Sequence, residues 1–402
     1  MAPLDIASYL FNIGGYVINE IDPMKAPRIA IVGAGPGGLC AANLLHRAGW
    51  PVTVFEGDAA FDARDQGGTL DLHPDGGQLA LAKAGLLEDF LAVARHEDQG
   101  QRVLDHATGA VLREEIPEEG TGDRPEIDRV LLRQLLLRPL GEGVVRWGEP
   151  VDAVLSDDSG AHFLRLRDEV AGPFDLVIGA DGAWSRVRSA LAEQQPTYTG
   201  VTFVELWFSQ VDERHAALSE RVGRGSVFSL HDGAGLFAQR NGGGAIRVYA
   251  AFRSRESDTD RPDKALAGIT LAELRTRFEG WSPALLDFID KADRIAAIRP
   301  IVALPVDFRW THKPGLTLLG DAAHVMPPMG EGVNLAMLDA AELAESLIGA
   351  ADWRQATAAY ELAMLERSNR IASETREAFA QWFSAEGAQS LLAHMDQRRA
   401  GE

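Results

Sequence analysis

The stretch RIAIVGAGPGGLCAANLLHRAGWPVTVFE, residues 28–56, decides the fold. Its opening apolar run ends in GAGPGG; Leu39, Ala42, Leu45 and Ala48 then fall on related turns of a helix, and PVTVFE forms a second strand. Strand, crossover helix and strand within about thirty residues make a βαβ unit. Gly33, Gly35 and Gly38 have the GxGxxG spacing, and Gly37 belongs to the same turn. The first glycine permits the tight turn and the second lets backbone approach a pyrophosphate. The third lets helix and strand pack closely, while the helix N-terminus stabilises the phosphate charge. Glu56 ends the second strand, where a carboxylate can accept from ribose hydroxyls. An ordinary glycine turn has the same local spacing; the flanking strand, helix and acid favour a dinucleotide. Cys40, on that helix, reads as packing.

The rest of the chain suits a soluble globular enzyme of two or three lobes. It has 402 residues, 46% of them hydrophobic, which excludes a disordered or collagenous chain. A formal charge of −20, from 39 basic and 59 acidic side chains, disfavours nucleic acid or an anionic membrane as partner. One cysteine excludes a disulfide scaffold and fits a reducing compartment, so the cytoplasm is the expected location. Residues 1–23 have no positive charge before their apolar positions and are broken by Gly14 and Gly15, unlike a signal peptide or a membrane span. They read as an accessory extension, with a packed extra helix as the alternative. The segment 67–140 reads as mostly helical, and VDAVLSDDSGAHFLRLRD as a hairpin turning at Asp157–Gly160. Between about 200 and 310, aromatic alternating runs predict a second, largely antiparallel sheet, and 333–386 reads as two long helices.

Two distant stretches carry further chemistry, GADGAWSRVR (179–188) and GDAAHVMPPMGEGVN (320–334). Asp321 follows an apolar strand, at the end where open α/β sheets bind ligands, and can accept a hydrogen bond from a polyol hydroxyl. Pro327, Pro328 and the glycines after them bring bare backbone forward. Gly332, Val333 and Asn334 open a helix whose amides favour negative charge. Asp181 and Arg188 end another strand and turn; Asp-Gly there is also common turn chemistry. His324 has no companion at metal-ligand spacing and reads as structural.

With these three motifs in this order, the sequence resembles the class A flavoprotein monooxygenases of the para-hydroxybenzoate hydroxylase fold. It looks most like their tetracycline-modifying branch, through GGTLDLH (67–73) and EIDR (126–129). The resemblance implies an α/β chain with a Rossmann-like FAD-binding domain (24–90, 120–195 and 310–350). A mostly antiparallel substrate domain (91–119 and 196–309) and C-terminal helices (351–402) complete it. It implies FAD contacts from Asp71 and Arg129, NADPH binding by Arg64, and a role for Asp181 toward both nucleotides. Taken alone, Arg64 and Arg129 read as solvated charges. Glu205 falls where tetracycline-modifying relatives carry a glutamine. Their substrate-binding arginine aligns near Ser226, with Arg224 two positions away. His231, Phe237 and Tyr249 either line the substrate pocket or belong to the core of that sheet. The family's arginine after the ribose carboxylate is replaced by Gly57, and the PPMGEG turn is one residue short.

The implied activity is hydroxylation of an electron-rich phenolic, enolic or polycyclic small molecule, tetracycline-like compounds among the options. NADPH would reduce FAD, and O2 would add to form a flavin C4a-hydroperoxide. The cofactor carries that chemistry, so no nucleophile is expected, and no triad or metal cluster stands out. A monomer or weak homodimer is expected. A flavin reductase of the same fold and a flavin- and ligand-binding protein without turnover compete with this reading. A halogenase would need a WxW pattern, which is absent.

Overall fold

A computed structural model describes residues 26–63, 67–118, 122–254 and 266–401, with side chains through residue 396. The expectations for residues 1–23 and for Arg64 lie outside the described residues.

A five-stranded parallel sheet runs in the order β17-β11-β1-β2-β7. Its strands are β1 (Ile29–Val32), β2 (Val52–Glu56), β7 (Val145–Trp147), β11 (Leu176–Gly179) and β17 (Leu316–Leu318). All residues of β1 and β11 are buried, as a parallel strand covered on both faces requires. Helix α1 (Pro36–Arg47) crosses from β1 to β2 and packs on α11 (Gly332–Gly349). The order places β11 and β17, which come much later in the chain, beside β1. The carboxyl ends of all three therefore meet at one edge.

Beside it stands a seven-stranded sheet in the order β16-β12-β15-β14-β13-β4-β5. It comprises β4 (Gly100–Leu104), β5 (Val111–Glu115), β12 (Thr197–Phe208), β13 (Gly225–His231), β14 (Ala234–Asn241), β15 (Ala245–Arg253) and β16 (Arg294–Ala303). Alternation along β12 divides its faces. Val204, Leu206 and Phe208 point to a core shared with α7 (Ala216–Val222), α8 (Leu271–Arg275) and α9 (Pro283–Asp290), next to the short α6 (Val211–Arg214). Val201 and Phe203 point the other way, to Phe379 and Phe383 at the end of α12 (Trp353–Trp382) and to Leu391 and Met395 of α13 (Gly387–Gly401).

Smaller pieces join the two. The predicted hairpin is β8 (Ala153–Ser156) and β9 (His162–Arg165), extended by β10 (Val170–Phe174). The segment 67–140 is less helical than its composition suggests. Besides α2 (Gly77–Ala84), α3 (Leu87–Val93) and α4 (Arg129–Leu137) it holds β4, β5 and the two-stranded ribbon of β3 (Thr69–Asp71) and β6 (Glu126–Asp128). Three-residue strands are too short to display a period. The outer edge strand β5, with Val111 and Leu112 exposed, lacks a buried face. Among the described residues no helix is long and apolar enough to cross a membrane.

Cys40 lies wholly within the α1 core, and burial pushes its thiol up to about 12. The folded protein should resist a thiol alkylating agent at neutral pH and be labelled once in denaturant. Stoichiometric labelling before unfolding, read by intact mass, contradicts that packing.

Candidate functional site

The edge where β1, β11 and β17 end is built by missing side chains. Gly33 has φ +105°, and a Cβ there would lie 2.4 Å from the Ala180 carbonyl oxygen after β11. A Cβ on Gly38 would meet the Gly33 carbonyl oxygen at 2.1 Å, and one on Gly37 would press on Leu319 and Ala336. Gly35 differs, because a Cβ there meets nothing within 4 Å. The first three glycines are needed by the protein's own packing, whereas Gly35 borders open space at the N-terminus of α1. Glu56 reaches back to this turn, accepting from the Ala34 amide at 2.8 Å and the Asp58 amide at 2.9 Å. Arg133 braces it from α4, donating to the Ala34 carbonyl at 2.9 Å and lying over the rings of Phe61 and Trp147.

The other two strand ends bring carboxyls. Asp181 accepts from the Arg186 amide at 2.7 Å, holding its turn closed, while its Oδ1 is buried with no hydrogen-bond partner among the described residues. Burial raises its pKa. Arg188, on the short α5 (Arg188–Leu191), ties that turn to α10 (Asp321–His324) by donating to the Ala322 carbonyl. Asp321, the first residue of α10, keeps exposed surface at the strand ends although protein crowds closely around its carboxyl. Burial raises its pKa against the pull of His324, Arg129 and Arg188. Behind it, Asp339 takes the Gly320 amide at 3.0 Å and His324 Nε2 at 2.6 Å, and Arg367 pairs with its other oxygen. His324 is thus held by a buried carboxylate, and the described residues contain no cluster able to hold a metal ion.

The turn before α11 exposes Pro328, Gly330 and Gly332, with Val333 half-buried. Asn334 is fully committed: its oxygen accepts from the His73 and Gly77 amides, and its nitrogen donates to the Asp71 and Gly330 carbonyls. It fastens β3 to α11 instead of offering a side chain to a ligand. Asp71 accepts from His73 Nε2 at 3.0 Å and stands opposite Glu126 in the β3–β6 ribbon. Burial, with Asp71 as a second cause, pushes Glu126 up to about 8; Thr69 Oγ1 donates to it at 2.5 Å.

Arg129 links the two lobes. Its pKa is lowered by burial, and Tyr249, Asp321, Arg299 and Glu205 all act on it electrostatically. Gly67 and Gly68 admit these bulky groups: a Cβ on Gly67 would lie 3.4 Å from Arg129, and one on Gly68 would lie 2.9 Å from the Tyr249 hydroxyl. Glu205 is buried between Arg247, at 2.6 Å, and Arg299. Phe237 packs among Phe203, Phe228, Trp382 and Phe383, a core position beside Tyr249.

His231 does not join this site. Along β13, Phe228 and Leu230 share the face of Phe237, whereas Val227, Ser229 and His231 alternate to the opposite face. There His231 stacks on His106, which meets Trp281 of the helix-covered core. Reading it as a pocket residue misjudges the strand register by one. Sequence reasoning passed over Arg247, Arg299, Glu126 and His73. A charged residue at an inward position, as in AIRVYAAFR, was the available signal.

Comparison with known proteins agrees with this geometry. Residues 27–358 match the FAD binding domain family. The chain is 33% identical over 388 residues to the monooxygenase PenA of Penicillium thymicola, covering 84% of this chain and 89% of that one. It is 30% identical over 384 residues to 3-amino-4-hydroxybenzoate 2-monooxygenase PtmB3 of Streptomyces platensis, covering 91% of each. Among solved structures, Klebsiella pneumoniae HpxO complexed with FAD and uric acid superposes with a TM-score of 0.75 at 21% identity, covering 92% of each chain. Tetracycline destructase Tet(51) does so with 0.69 at 21% identity, covering 93% of this chain and 96% of that one. The chain belongs to the FAD binding domain family and has the fold of the class A flavoprotein monooxygenases.

The residues fit that cofactor. Open space at Gly35, an orphaned oxygen on Asp181 and the exposed position of Asp321 at the neighbouring strand end suit a pyrophosphate and a polyol chain. Gly35→Ala should therefore fold with unchanged thermal stability but lose most FAD affinity, whereas Gly38→Ala should be strongly destabilised. Retention of stoichiometric FAD by Gly35→Ala in a spectrophotometric titration opposes the assignment. Because the folded pKa of Glu126 is above its unfolded value, its contribution to stability is full below about 4.5 and lost as pH rises through about 8. Glu126→Gln should flatten the fall in stability over that window, by up to about 1.4 kcal/mol per pH unit. Identical pH profiles in denaturant titrations would count against it.

Proposed function

We propose that the chain is an FAD-dependent, NAD(P)H-consuming monooxygenase that hydroxylates an electron-rich phenolic, enolic or polycyclic small molecule. Substrate, O2, NADPH and a proton would give hydroxylated product, NADP+ and water. Bound and reduced, FAD supplies the activation of oxygen and delivers it as an electrophile.

The observation that carries the reading is the position of Arg129 and Asp321. They lie within electrostatic reach of each other, one on α4 and one at the end of β17. Arg129 is also within reach of Tyr249 and Glu205 on the second sheet. A ring bound along the strand ends would thus lie against the face that carries Phe203, Phe237 and Tyr249. The chain's own residues bind and orient. Gly33, Gly35, Gly37, Gly38 and Glu56 would take the nucleotide end. Asp181, Asp321 and the turn from Pro328 to Val333 would take the ribityl chain and ring, with Asp71 and Arg129 at its edge. Phe379, Trp382 and Phe383 roof the sheet and exclude water that would waste the oxidant.

Purified protein should be yellow and should bleach with NADPH under anaerobic conditions, faster when a substrate is present. On readmission of labelled dioxygen, one labelled atom should enter the product. Bleaching without oxygen insertion across phenols and tetracyclines supports a reductase. A flavin that stays oxidised with every nucleotide and ligand supports a protein that only sequesters its ligand.

A further inference from the structure

β5 ends the seven-stranded sheet, so the outer row of its N–H and C=O groups has no strand partner among the described residues. Such an edge is a template for another strand, and proteins blunt it with short length, bulges, proline or lysine. β5 is blunted only in part. It is five residues long, and its register against β4 shifts between Arg113 and Val111. Yet no lysine falls within residues 111–118, and apolar side chains project into solvent, Leu112 at 47% and Ile116 at 60% exposed.

The run VLREEIP, residues 111–117, is its own complement when a second copy lies antiparallel to it. A two-fold axis perpendicular to the sheet keeps each face on its own side, so only residues of like parity can meet. With Glu114 on the axis, Arg113 meets the partner's Glu115 and Leu112 meets the partner's Ile116, and each pair occurs twice. Opposite charges and apolar side chains placed directly across two strands both favour pairing. The one like pair, Glu114 with its copy, is compensated on each side by Arg102 of β4, 2.5 Å away. Moving the axis to Arg113 would oppose two arginines and set Leu112 against Glu114. Moving it to Glu115 would set Ile116 against Glu114 instead. Net charge also separates this edge from its surroundings, because two chains of −20 repel over most of their surface. At β5 the acids are answered locally: Arg102 pairs with Glu114, and Arg113 pairs with Glu115 at 3.1 Å and with Asp396 of α13.

We infer that β5 is a homotypic docking edge: a second copy of this chain pairs with it antiparallel about Glu114, so that one sheet runs continuously through both copies. The inference stands apart from the monooxygenase reading and does not depend on it. The bulge at Leu112 confines the ladder to a few residues, so the contact is small and the association is weak, rising with protein concentration. The pairing is isologous, so it closes at two copies instead of propagating along that edge.

The test uses the full chain, with flavin content measured on every sample. In sedimentation equilibrium its mass should rise from 43.4 kDa toward twice that value as concentration increases. Ile116→Lys should weaken association about tenfold or more, with FAD content and melting temperature near wild type. Register is read by cross-linking. Cys40 is wholly buried, so Glu114→Cys offers a single accessible thiol at the axis, and a short bis-maleimide should join two copies through it. A thiol introduced by Val111→Cys should not link, because the two copies of position 111 lie about six residues apart along the ladder, roughly 20 Å. A mass that stays at 43.4 kDa at every concentration overturns the inference, whether the edge is bare or covered by the chain's own residues. So does a dimer that Ile116→Lys leaves unchanged, or one that links through position 111 and not through 114. A monomer that holds FAD leaves the cofactor assignment intact, and a dimer that never takes up FAD defeats that assignment alone.

Discussion

The contact between Gly38 and the carbonyl of Gly33 fixes everything built on the parallel sheet. With hydrogen in place of Cβ at both positions, α1 leaves β1 at once and lies flat against the sheet, and the turn lodges against Ala180 at the end of β11. That proximity is what makes Asp181 and, one strand further, Asp321 neighbours of the glycine turn, although they are far away in sequence. A side chain at Gly38 would move backbone, not merely a rotamer, because the obstructing atom is a carbonyl oxygen. The open space at Gly35 is meaningful only against this background. Of four glycines in one turn, it is the one that the protein's own packing leaves uncontacted.

Charge burial follows the same logic at longer range. An ionised group withdrawn from water costs several kcal/mol unless it is paired, and removing one partner of a buried pair costs about 3–5 kcal/mol. Asp339 satisfies this with the Gly320 amide, His324 and Arg367, and so stiffens the turn that carries Asp321. Glu205 satisfies it with two arginines. Asp181, Asp321 and Glu126 are less fully compensated, and burial drives them toward the neutral form, as it does Asp98 and Glu361.

The parallel sheet was legible in the sequence because its signals are local and redundant. IAIV is uniformly apolar, GAGPGG allows one turn geometry, and Glu56 and Asp321 follow apolar runs directly. The second sheet was legible as a sheet, from alternation in TFVELWFSQ and AIRVYAAFR, but not as two faces. His231 shows why: assigning a face needs the register across the β13–β14 hairpin, and a slip of one residue reverses it. Glu205 was visible as a change from a glutamine. Its neutralisation was not, because Arg247 and Arg299 reach it from β15 and β16, and no spacing rule links residues brought together by strand pairing. Asn334 illustrates the opposite case. The sequence pointed to the backbone amides at the start of α11; the structure adds that the Asn334 side chain is spent on the loop around His73 and on the Gly330 carbonyl.

The pairing of Glu205 with arginines bears on how far likeness within this fold reaches. Exchanging a neutral amide for a carboxylate at the centre of a sheet face is destabilising unless cations accompany it. Here the carboxylate and its two cations lie on three strands. Phe203, Phe237 and Tyr249 occupy the same rows of the sheet as these charged groups. The two kinds of group differ chemically: an amide can serve as donor or acceptor, whereas an arginine held by Glu205 only donates and carries charge. The shared fold thus accounts for how the nucleotide end and the strand ends are arranged. Superposition at 21% identity to HpxO or Tet(51) speaks to that arrangement and not to the choice of substrate.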